Sequence, residues 1–142
     1  MIIPDINLLV YSYNSDGPFH EDAKDWWEHC LSNPGAVGLP WTVILGFVRI
    51  MSSNAVFSNP METRDAISEV QLWLACPQTQ IVTPGPRHLE ILTDIMGAAR
   101  ASGRLTTDAH LAALAIETQS ELHSNDVDFA RFRGLRWKNP IG

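Results

Sequence analysis

The chain has 142 residues, of which 45% are hydrophobic, so it is long enough to bury one sizeable core and too apolar to be a disordered tail. Its net charge of −6 argues against a protein that holds nucleic acid by bulk positive charge. The two cysteines, Cys30 and Cys76, are far apart, which excludes a Cys-x-x-Cys metal or redox motif. We therefore expect one globular domain spanning residues 1–142.

Short apolar runs typical of strands alternate along the chain with longer periodic runs typical of helices. The first strand is predicted at residues 1–4, and Asp5 is placed to cap a helix that begins near Ile6. Further strands are predicted at residues 36–39, 80–83, 121–124 and 135–137, and further helices at residues 20–31, 41–53, 62–75, 87–101 and 107–118. This alternation predicts an α/β fold with a mainly parallel central sheet flanked by helices.

Two of the predicted helices have informative ends or faces. The sequence Pro-Gly-Pro at 84–86 is expected to break the chain before the helix at 87–101, and Ser102-Gly103 is expected to end that helix. The helix at 41–53 is apolar on nearly every side, more than one buried face requires. This pattern is typical either of a central helix or of a helix that extends into a groove or dimer contact, and both remain open at this point.

No segment of the sequence predicts export or membrane insertion. The N-terminus lacks a basic segment followed by a long apolar run, and the most apolar stretch, residues 41–51, contains Arg49 and is shorter than a bilayer span. The sequence therefore predicts a cytoplasmic protein without a membrane partner.

Four aspartates lie where predicted strands end or helices begin. Asp5 follows the first strand, Asp126 and Asp128 follow the fourth, and Asp108 lies in the first turn of the last helix. Ligands of parallel sheets bind beyond the carboxyl ends of the strands, so these four side chains are expected to face one cleft. Such a cluster would repel itself unless a cation bridged it, and an all-oxygen acidic site suits Mg²⁺ or Mn²⁺.

Helix capping is the simpler role for each of these acids taken alone. Asp5 and Asp126 are placed to cap the segments that follow them, and either Thr106 or Thr107 is expected to cap the helix that carries Asp108. Capping and metal binding therefore both remain open for each acid at this point.

Basic residues are concentrated near the C-terminus. Residues 1–97 carry four basic and eleven acidic side chains, whereas residues 98–142 carry six basic and five acidic ones. If Asp108, Asp126 and Asp128 bind a metal ion, the other charges of the C-terminal segment are mostly positive, which favours RNA as a substrate. The alternative is a solvated surface on which charge is merely uneven.

Several motifs together resemble those of a known family. They are "PDINLLVY" near the N-terminus, "LPWTVILGFVRI" and "PGPRHLEIL" in the middle, and "TTDAHLAALAIE", "SNDVDFARF" and "GLRWKNP" towards the C-terminus. In this order they resemble PIN domains, and specifically the VapC-type toxins of VapBC toxin–antitoxin systems, over nearly the whole chain. The resemblance implies one PIN-like three-layer sandwich. It also implies a homodimeric, Mg²⁺- or Mn²⁺-dependent endoribonuclease that a VapB-like antitoxin neutralises.

The resemblance assigns roles to individual residues. Asp5, Asp108 and Asp126 match the metal-binding acids of the family, Asp128 matches an accessory catalytic acid, and Asn7 is a supporting polar residue near Asp5. Thr107 is a further candidate for substrate support.

The sequence departs from the family at one place. Many PIN domains carry a glutamate on their second helix. The corresponding stretch of this chain is "TVILGFVRI", where Gly46 or Phe47 stands at the position of that glutamate. Arg49 is a candidate to compensate for the missing acid or to contact a substrate phosphate, and the alternative is an exposed arginine at a helix edge.

Two other functions remain open from the sequence. One is a catalytically weak PIN-fold binding module that has lost turnover together with the glutamate. The other is a receiver-like phosphoacceptor domain that uses Asp5 or the pair Asp126 and Asp128; such a domain needs a lysine near the last strand, where Lys138 is the only candidate. A zinc protease is not supported, because no His-x-x-x-His pair with a glutamate occurs among the five histidines.

Overall fold

The computed structural model describes all 142 residues and contains five strands and six α-helices. The strands are β1 (Ile2–Pro4), β2 (Val37–Pro40), β3 (Thr79–Val82), β4 (Glu121–His123) and β5 (Arg136–Lys138). The helices are α1 (Ile6–Tyr13), α2 (His20–Ser32), α3 (Trp41–Met51), α4 (Thr63–Ala75), α5 (His88–Ala99) and α6 (Thr106–Glu117), with short 3₁₀ helices at Gly103–Leu105 and Val127–Arg131. Each predicted strand and helix is therefore confirmed, with its ends shifted by a residue or two.

The five strands form one sheet in the order β3-β2-β1-β4-β5, and every neighbouring pair is parallel. The N-terminal strand β1 is the central strand, and its Pro4 pairs with His123 of β4. Because the carboxyl ends of β1 and β4 are adjacent, the segments that follow these two strands lie side by side.

Helices cover both faces of the sheet. The chain moves from β1 to β2 and on to β3 in one direction and then crosses back to β4. Right-handed crossovers therefore place α1 to α4 on one face and α5 and α6 on the other. A cluster of 26 buried hydrophobic residues, which includes Ile3, Phe47, Trp73 and Leu114, fills the space between these layers. The predicted α/β three-layer sandwich is confirmed.

Helix α1 is fixed at both ends. At its start, the Asp5 carboxylate accepts a hydrogen bond from the backbone N–H of Ile6 at 2.8 Å. At its end, the Tyr13 hydroxyl accepts a hydrogen bond from Trp73 Nε1 at 2.8 Å and donates to Glu69 Oε2 at 2.9 Å. The predicted cap is thus confirmed, and the helix that follows Asp5 is tied to α4.

Two predicted helix ends are wrong. Helix α5 ends at Ala99, because Arg100 adopts a left-handed conformation with φ of 53°, so Ser102-Gly103 does not end it. Neither Thr106 nor Thr107 caps α6, because the 3₁₀ helix Gly103–Leu105 continues directly into it and Leu105 already has helical geometry. None of the six helices combines the length and the apolar character that crossing a membrane requires.

Candidate functional site

The buried carboxylate of Asp5 is the innermost part of the acidic site. Asp5 is only 8% exposed, and its backbone N–H donates to the carbonyl of His123, which extends the pairing of β1 with β4. Its second carboxylate oxygen accepts a hydrogen bond from the hydroxyl of Ser124 at 2.7 Å, in addition to the bond from the Ile6 N–H. These two donors on different segments fix the orientation of the carboxylate.

The Ser124 hydroxyl connects Asp5 to the segment that carries Asp126. It accepts the backbone N–H of Asp126 at 3.0 Å, and it is within 3.4 Å of the Asn7 side-chain amide. Asp126 in turn caps the 3₁₀ helix Val127–Arg131, since its carboxylate accepts the N–H of Asp128 at 2.9 Å. The predicted capping role of Asp126 is therefore confirmed, and its carboxylate is brought to the edge of the sheet where Asp5 lies.

Asp108 reaches the same place from the other face of the sheet, in the first turn of α6. Burial raises the pKa of its carboxyl from 3.8 to about 6, with further contributions from the negative charges of Asp5, Asp126 and Asp128. The charges of these three acids therefore all act on Asp108. Asp108 accepts no hydrogen bond from the protein, so both of its oxygens are available to a ligand.

The environment of Asp5 also disfavours a negative charge. Burial raises the pKa of the Asp5 carboxyl, and the nearby charge of Asp126 raises it further, whereas the hydrogen bonds from Ser124 and Ile6 act in the opposite direction. No lysine or arginine forms a salt bridge with Asp5 or Asp108. The protein therefore places no cationic side chain in contact with the innermost carboxylates of the site.

Asp128 has a different environment from the other three acids. One of its oxygens lies 3.5 Å from Nη1 of Arg104, and the other lies 3.7 Å from Nη2 of Arg131. Asp128 thus has two cationic partners, while Asp5 and Asp108 have none.

The side chains do not form a closed metal cage, because no group of three carboxylate, imidazole or thiolate side chains is arranged to hold an ion by itself. This arrangement is compatible with Mg²⁺, which keeps several waters and uses only one or two carboxylates. A further polar atom is available, since the buried side-chain oxygen of Asn7 has no hydrogen-bond partner. A metal-bound water would satisfy it, so the donor set fits a hydrated hard cation.

The position of the missing glutamate is filled by a hydrophobic side chain. Gly46 is buried on α3, and a Cβ atom built on it would overlap Cδ1 of Ile6. Phe47 is fully buried in the core and faces away from solvent. Gly46 therefore has no room for an acidic side chain unless Ile6 moves, and at position 47 an acid would be buried among apolar side chains.

Two other candidate residues, Arg49 and Thr107, form no hydrogen bond or salt bridge with the acidic groups. Arg49 is exposed near the end of α3 and forms no salt bridge, and Thr107 is exposed beside Asp108 without a side-chain hydrogen bond. Both are accessible to a substrate, but nothing in the protein orients them.

Sequence reasoning missed Ser124 and Arg104. Ser124 occurs in the quoted motif "SNDVDFARF", yet its role depends on the pairing of β1 with β4 and not on a local pattern. Arg104 lies in the 3₁₀ helix before α6 and pairs with Asp128, which is 24 positions away, so no local pattern in the sequence indicates this contact.

The four acids of the site, Asp5, Asp108, Asp126 and Asp128, line none of the four principal cavities. A cavity of about 240 Å³ lies instead between the end of α1 and the loop after α3, where its lining includes Asn14, Asp16, Phe57 and Met61. The acidic site therefore lies outside these cavities, with the buried carboxylate of Asp5 as its innermost group.

Comparison with known proteins gives consistent results. The family model described as PIN domain matches residues 2–135. The chain is 43% identical over 141 residues to Ribonuclease VapC33 of Mycobacterium tuberculosis, covering 99% of both chains, and 38% identical over 140 residues to Ribonuclease VapC37 of the same organism, covering 99% of this chain and 97% of that one. The fold is similar to that of VapBC2 from Rickettsia felis bound to a DNA fragment from their promoter, with a TM-score of 0.69, 17% identity and 98% coverage of both chains.

Proposed function

The chain belongs to the PIN-domain family, within which it is a ribonuclease of the VapC type, and we propose that its acidic site cleaves RNA with the help of a bound Mg²⁺ or Mn²⁺ ion. The proposal is supported by the Ser124 hydroxyl, which links the Asp5 carboxylate to the backbone of Asp126, and by the effect of both their charges on Asp108 from a third segment. We also propose that residues 1–142 act as one domain, since one core cluster joins residues from both helical layers and the sheet.

The metal would be held by the acids that the protein leaves without cationic partners. Asp5, Asp108 and Asp126 supply carboxylate oxygens, and Asn7 supplies the unpartnered amide oxygen. When bound, such an ion lowers the pKa of its water and neutralises charge that develops on the scissile phosphodiester.

The residues around the ion have separate tasks. Ser124 and the N–H of Ile6 hold the Asp5 carboxylate in one orientation, so little reorganisation is needed when a ligand binds. Asp108 has both oxygens free and can orient an attacking water by accepting a hydrogen bond from it. Asp126 keeps one oxygen engaged as a cap, which fixes the direction of the other.

Purified protein incubated with single-stranded or loop RNA tests the proposal. We expect cleavage in Mg²⁺ or Mn²⁺, its loss in EDTA, and its loss in Asp108→Asn. Cleavage that survives thorough chelation would contradict the metal-dependent mechanism. Equal cleavage by the variant would contradict the assignment of Asp108.

A second candidate function is a catalytically weak binding module. The observation that favours it is Gly46, because Ile6 occupies the space of the glutamate that many PIN domains have. Titration with Mn²⁺ separates the two cases when it is combined with the nuclease assay. Metal binding without cleavage of any RNA tested would favour the binding module.

We further propose that a small VapB-like antitoxin neutralises this protein and that the protein forms a homodimer. The apolar helix α3 buries Val43 and Phe47 but leaves Trp41 and Leu45 about half exposed or more, at 53% and 62%. An apolar pair one helical turn apart on the surface is typical of an interface. Expression of the chain alone should arrest growth, and a co-expressed antitoxin should relieve the arrest; unaffected growth despite soluble expression would contradict the toxin assignment.

The receiver-like alternative has no structural support. Lys138 lies on the outermost strand β5, where its charge acts on Glu121 and His123 and not on the acidic site. We propose that the protein acts on RNA in the cytoplasm, where cellular RNA is available.

A further inference from the structure

We propose that Arg104 and Arg131 form a phosphate-binding pair beside the acidic site, and that Asp128 positions these two arginines instead of binding the metal ion. This inference rests on the proposed ribonuclease function, because the phosphate is that of the RNA backbone. It assigns three residues to substrate binding that sequence reasoning did not place together.

The geometry of Asp128 supports a positioning role. Its two carboxylate oxygens contact different arginines, Oδ2 at 3.5 Å from Arg104 and Oδ1 at 3.7 Å from Arg131. The two arginines come from separate segments, the 3₁₀ helix Gly103–Leu105 before α6 and the 3₁₀ helix Val127–Arg131 after β4. With both oxygens in ion pairs, Asp128 has the least need for an added cation among the four acids.

The arginines lie next to the metal-binding acids and remain accessible. The backbone N–H of Asp128 donates to the carboxylate of Asp126, and the charge of Arg104 lowers the pKa of Asp108. The side chain of Arg104 is 79% exposed and that of Arg131 is 41% exposed. Both guanidinium groups therefore lie at the rim of the acidic site with free N–H donors.

Stability does not explain these ion pairs. Exposed salt bridges contribute about 0–1 kcal/mol, and distances of 3.5 and 3.7 Å are long for charge-assisted hydrogen bonds. Each guanidinium has five N–H donors in a planar fork that matches phosphate oxygens. One weak contact to Asp128 orients the fork and leaves most of its donors for a ligand.

The charge distribution explains why such a pair is needed. The chain has a net charge of −6, and its active site collects carboxylates, so an RNA phosphate is repelled on approach. Two arginines at the rim supply local positive charge for the phosphates that flank the scissile bond. Charge at the scissile phosphate itself would be left to a bound metal ion.

Binding of a short fluorescent single-stranded oligoribonucleotide, measured by anisotropy in EDTA over a range of salt, tests the arginine pair. Arg104→Gln and Arg131→Gln should each weaken binding by about fivefold and reduce the slope of log affinity against log salt by about 0.7. Arg133→Gln is the matched control, because Arg133 is exposed on the same segment and forms no salt bridge. It should change the affinity less than twofold.

Cleavage kinetics in Mg²⁺ should show the same pattern. The two arginine variants should raise KM with little change in kcat, and Arg104→Lys should recover part of the loss because it keeps the charge without the planar fork. Wild-type protein that neither binds nor cleaves RNA would overturn the proposed function. Wild-type cleavage with Arg104→Gln and Arg131→Gln both indistinguishable from Arg133→Gln would overturn the arginine pair alone.

A double-mutant cycle tests the role of Asp128. If Asp128 positions Arg104, Arg104→Gln should cost much less RNA affinity in an Asp128→Asn background than in wild type. Asp128→Asn should also keep the rise in melting temperature that Mg²⁺ gives the wild type. Additive losses of affinity, or loss of the Mg²⁺ effect in Asp128→Asn, would overturn the positioning role.

Discussion

Replacement of Asp126 by asparagine separates the two roles of this residue. Asparagine caps helices about as well as aspartate, so the hydrogen bond to the N–H of Asp128 should be retained. The negative charge that acts on Asp5 and Asp108 is removed. We therefore expect Asp126→Asn to melt at a higher temperature than wild type in EDTA.

The size of the effect follows from the pKa of Asp108, which rises from 3.8 to about 6. A pKa change of one unit corresponds to roughly 1.4 kcal/mol. Asp126 accounts for only part of the change, because burial is its largest cause and Asp126 is one of three repelling carboxylates. Solvent also screens the partly exposed carboxyl group. The share of Asp126 is thus about 0.5–1 kcal/mol, or about 1–4 °C in melting temperature for a chain of this size.

The pH dependence of stability should also show that Asp126→Asn is the more stable protein. Because the folded-state pKa of Asp108 lies above its unfolded value, its stabilising contribution is present below about pH 4 and is lost as pH rises through about 6. Asp126→Asn lowers that pKa and so loses less stability. The difference in melting temperature between Asp126→Asn and wild type should be small at pH 4 and larger at pH 7.

Differential scanning fluorimetry in EDTA at pH 4 and pH 7, repeated with Mg²⁺ at pH 7, measures these quantities. Asp94→Asn is the matched control, since it removes the same charge from an exposed site on α5. Wild type should gain more from Mg²⁺ than Asp126→Asn, because the stabilisation grows with affinity for the ion. If wild type is the more stable protein in EDTA at pH 7 and both gain equally from Mg²⁺, Asp126 is only a cap.

Three further predictions concern other parts of the site. Ser124→Ala should destabilise the metal-free protein by about 1–3 kcal/mol in urea unfolding, because the buried Asp5 carboxylate and the N–H of Asp126 lose their partner. It should also lower kcat by releasing Asp5; an unchanged kcat would show that this bond does not matter for turnover. Gly46→Ala should lower the free energy of unfolding by about 1–3 kcal/mol, and Ile6→Val in the same chain should restore much of this loss by removing the overlapping Cδ1. Losses of stability that add up in the double variant would contradict the contact. Mn²⁺ added to EDTA-treated protein should restore RNA cleavage. Ca²⁺ should restore much less, because it is larger and takes more oxygen ligands. Equal recovery with both ions would argue against a site selective for Mg²⁺-like ions.

The fold and the main acids could be predicted because both depend on local patterns. Strands end where apolar runs stop, and in a parallel sheet the residue after each strand lies at the same edge, so Asp5 and Asp126 could be placed together before any coordinates were known. The cap at Asp5 followed from the same local chemistry.

The remaining features depend on tertiary contacts. The hydrogen bond between Ser124 and Asp5 joins residues 119 positions apart, and a serine at a strand end carries no pattern that predicts it. The sequence shows that a glutamate is missing at Gly46, but only the packing of α1 against α3 shows that Ile6 fills its place. The expected threonine cap of α6 failed because the preceding 3₁₀ helix runs into it, a continuation that propensities did not indicate.

The central position of β1 has a consequence for protein synthesis. Asp5 is made 121 residues before Asp126, which lies beyond the strand that pairs with β1. At about 5–20 residues per second, the ribosome needs roughly 6–24 s to cover this interval. Throughout it, the nascent chain holds Asp5 without Ser124 or Asp126, so the acidic site is incomplete until residue 126 has been made. We therefore expect a chain that terminates before residue 124 to lack nuclease activity.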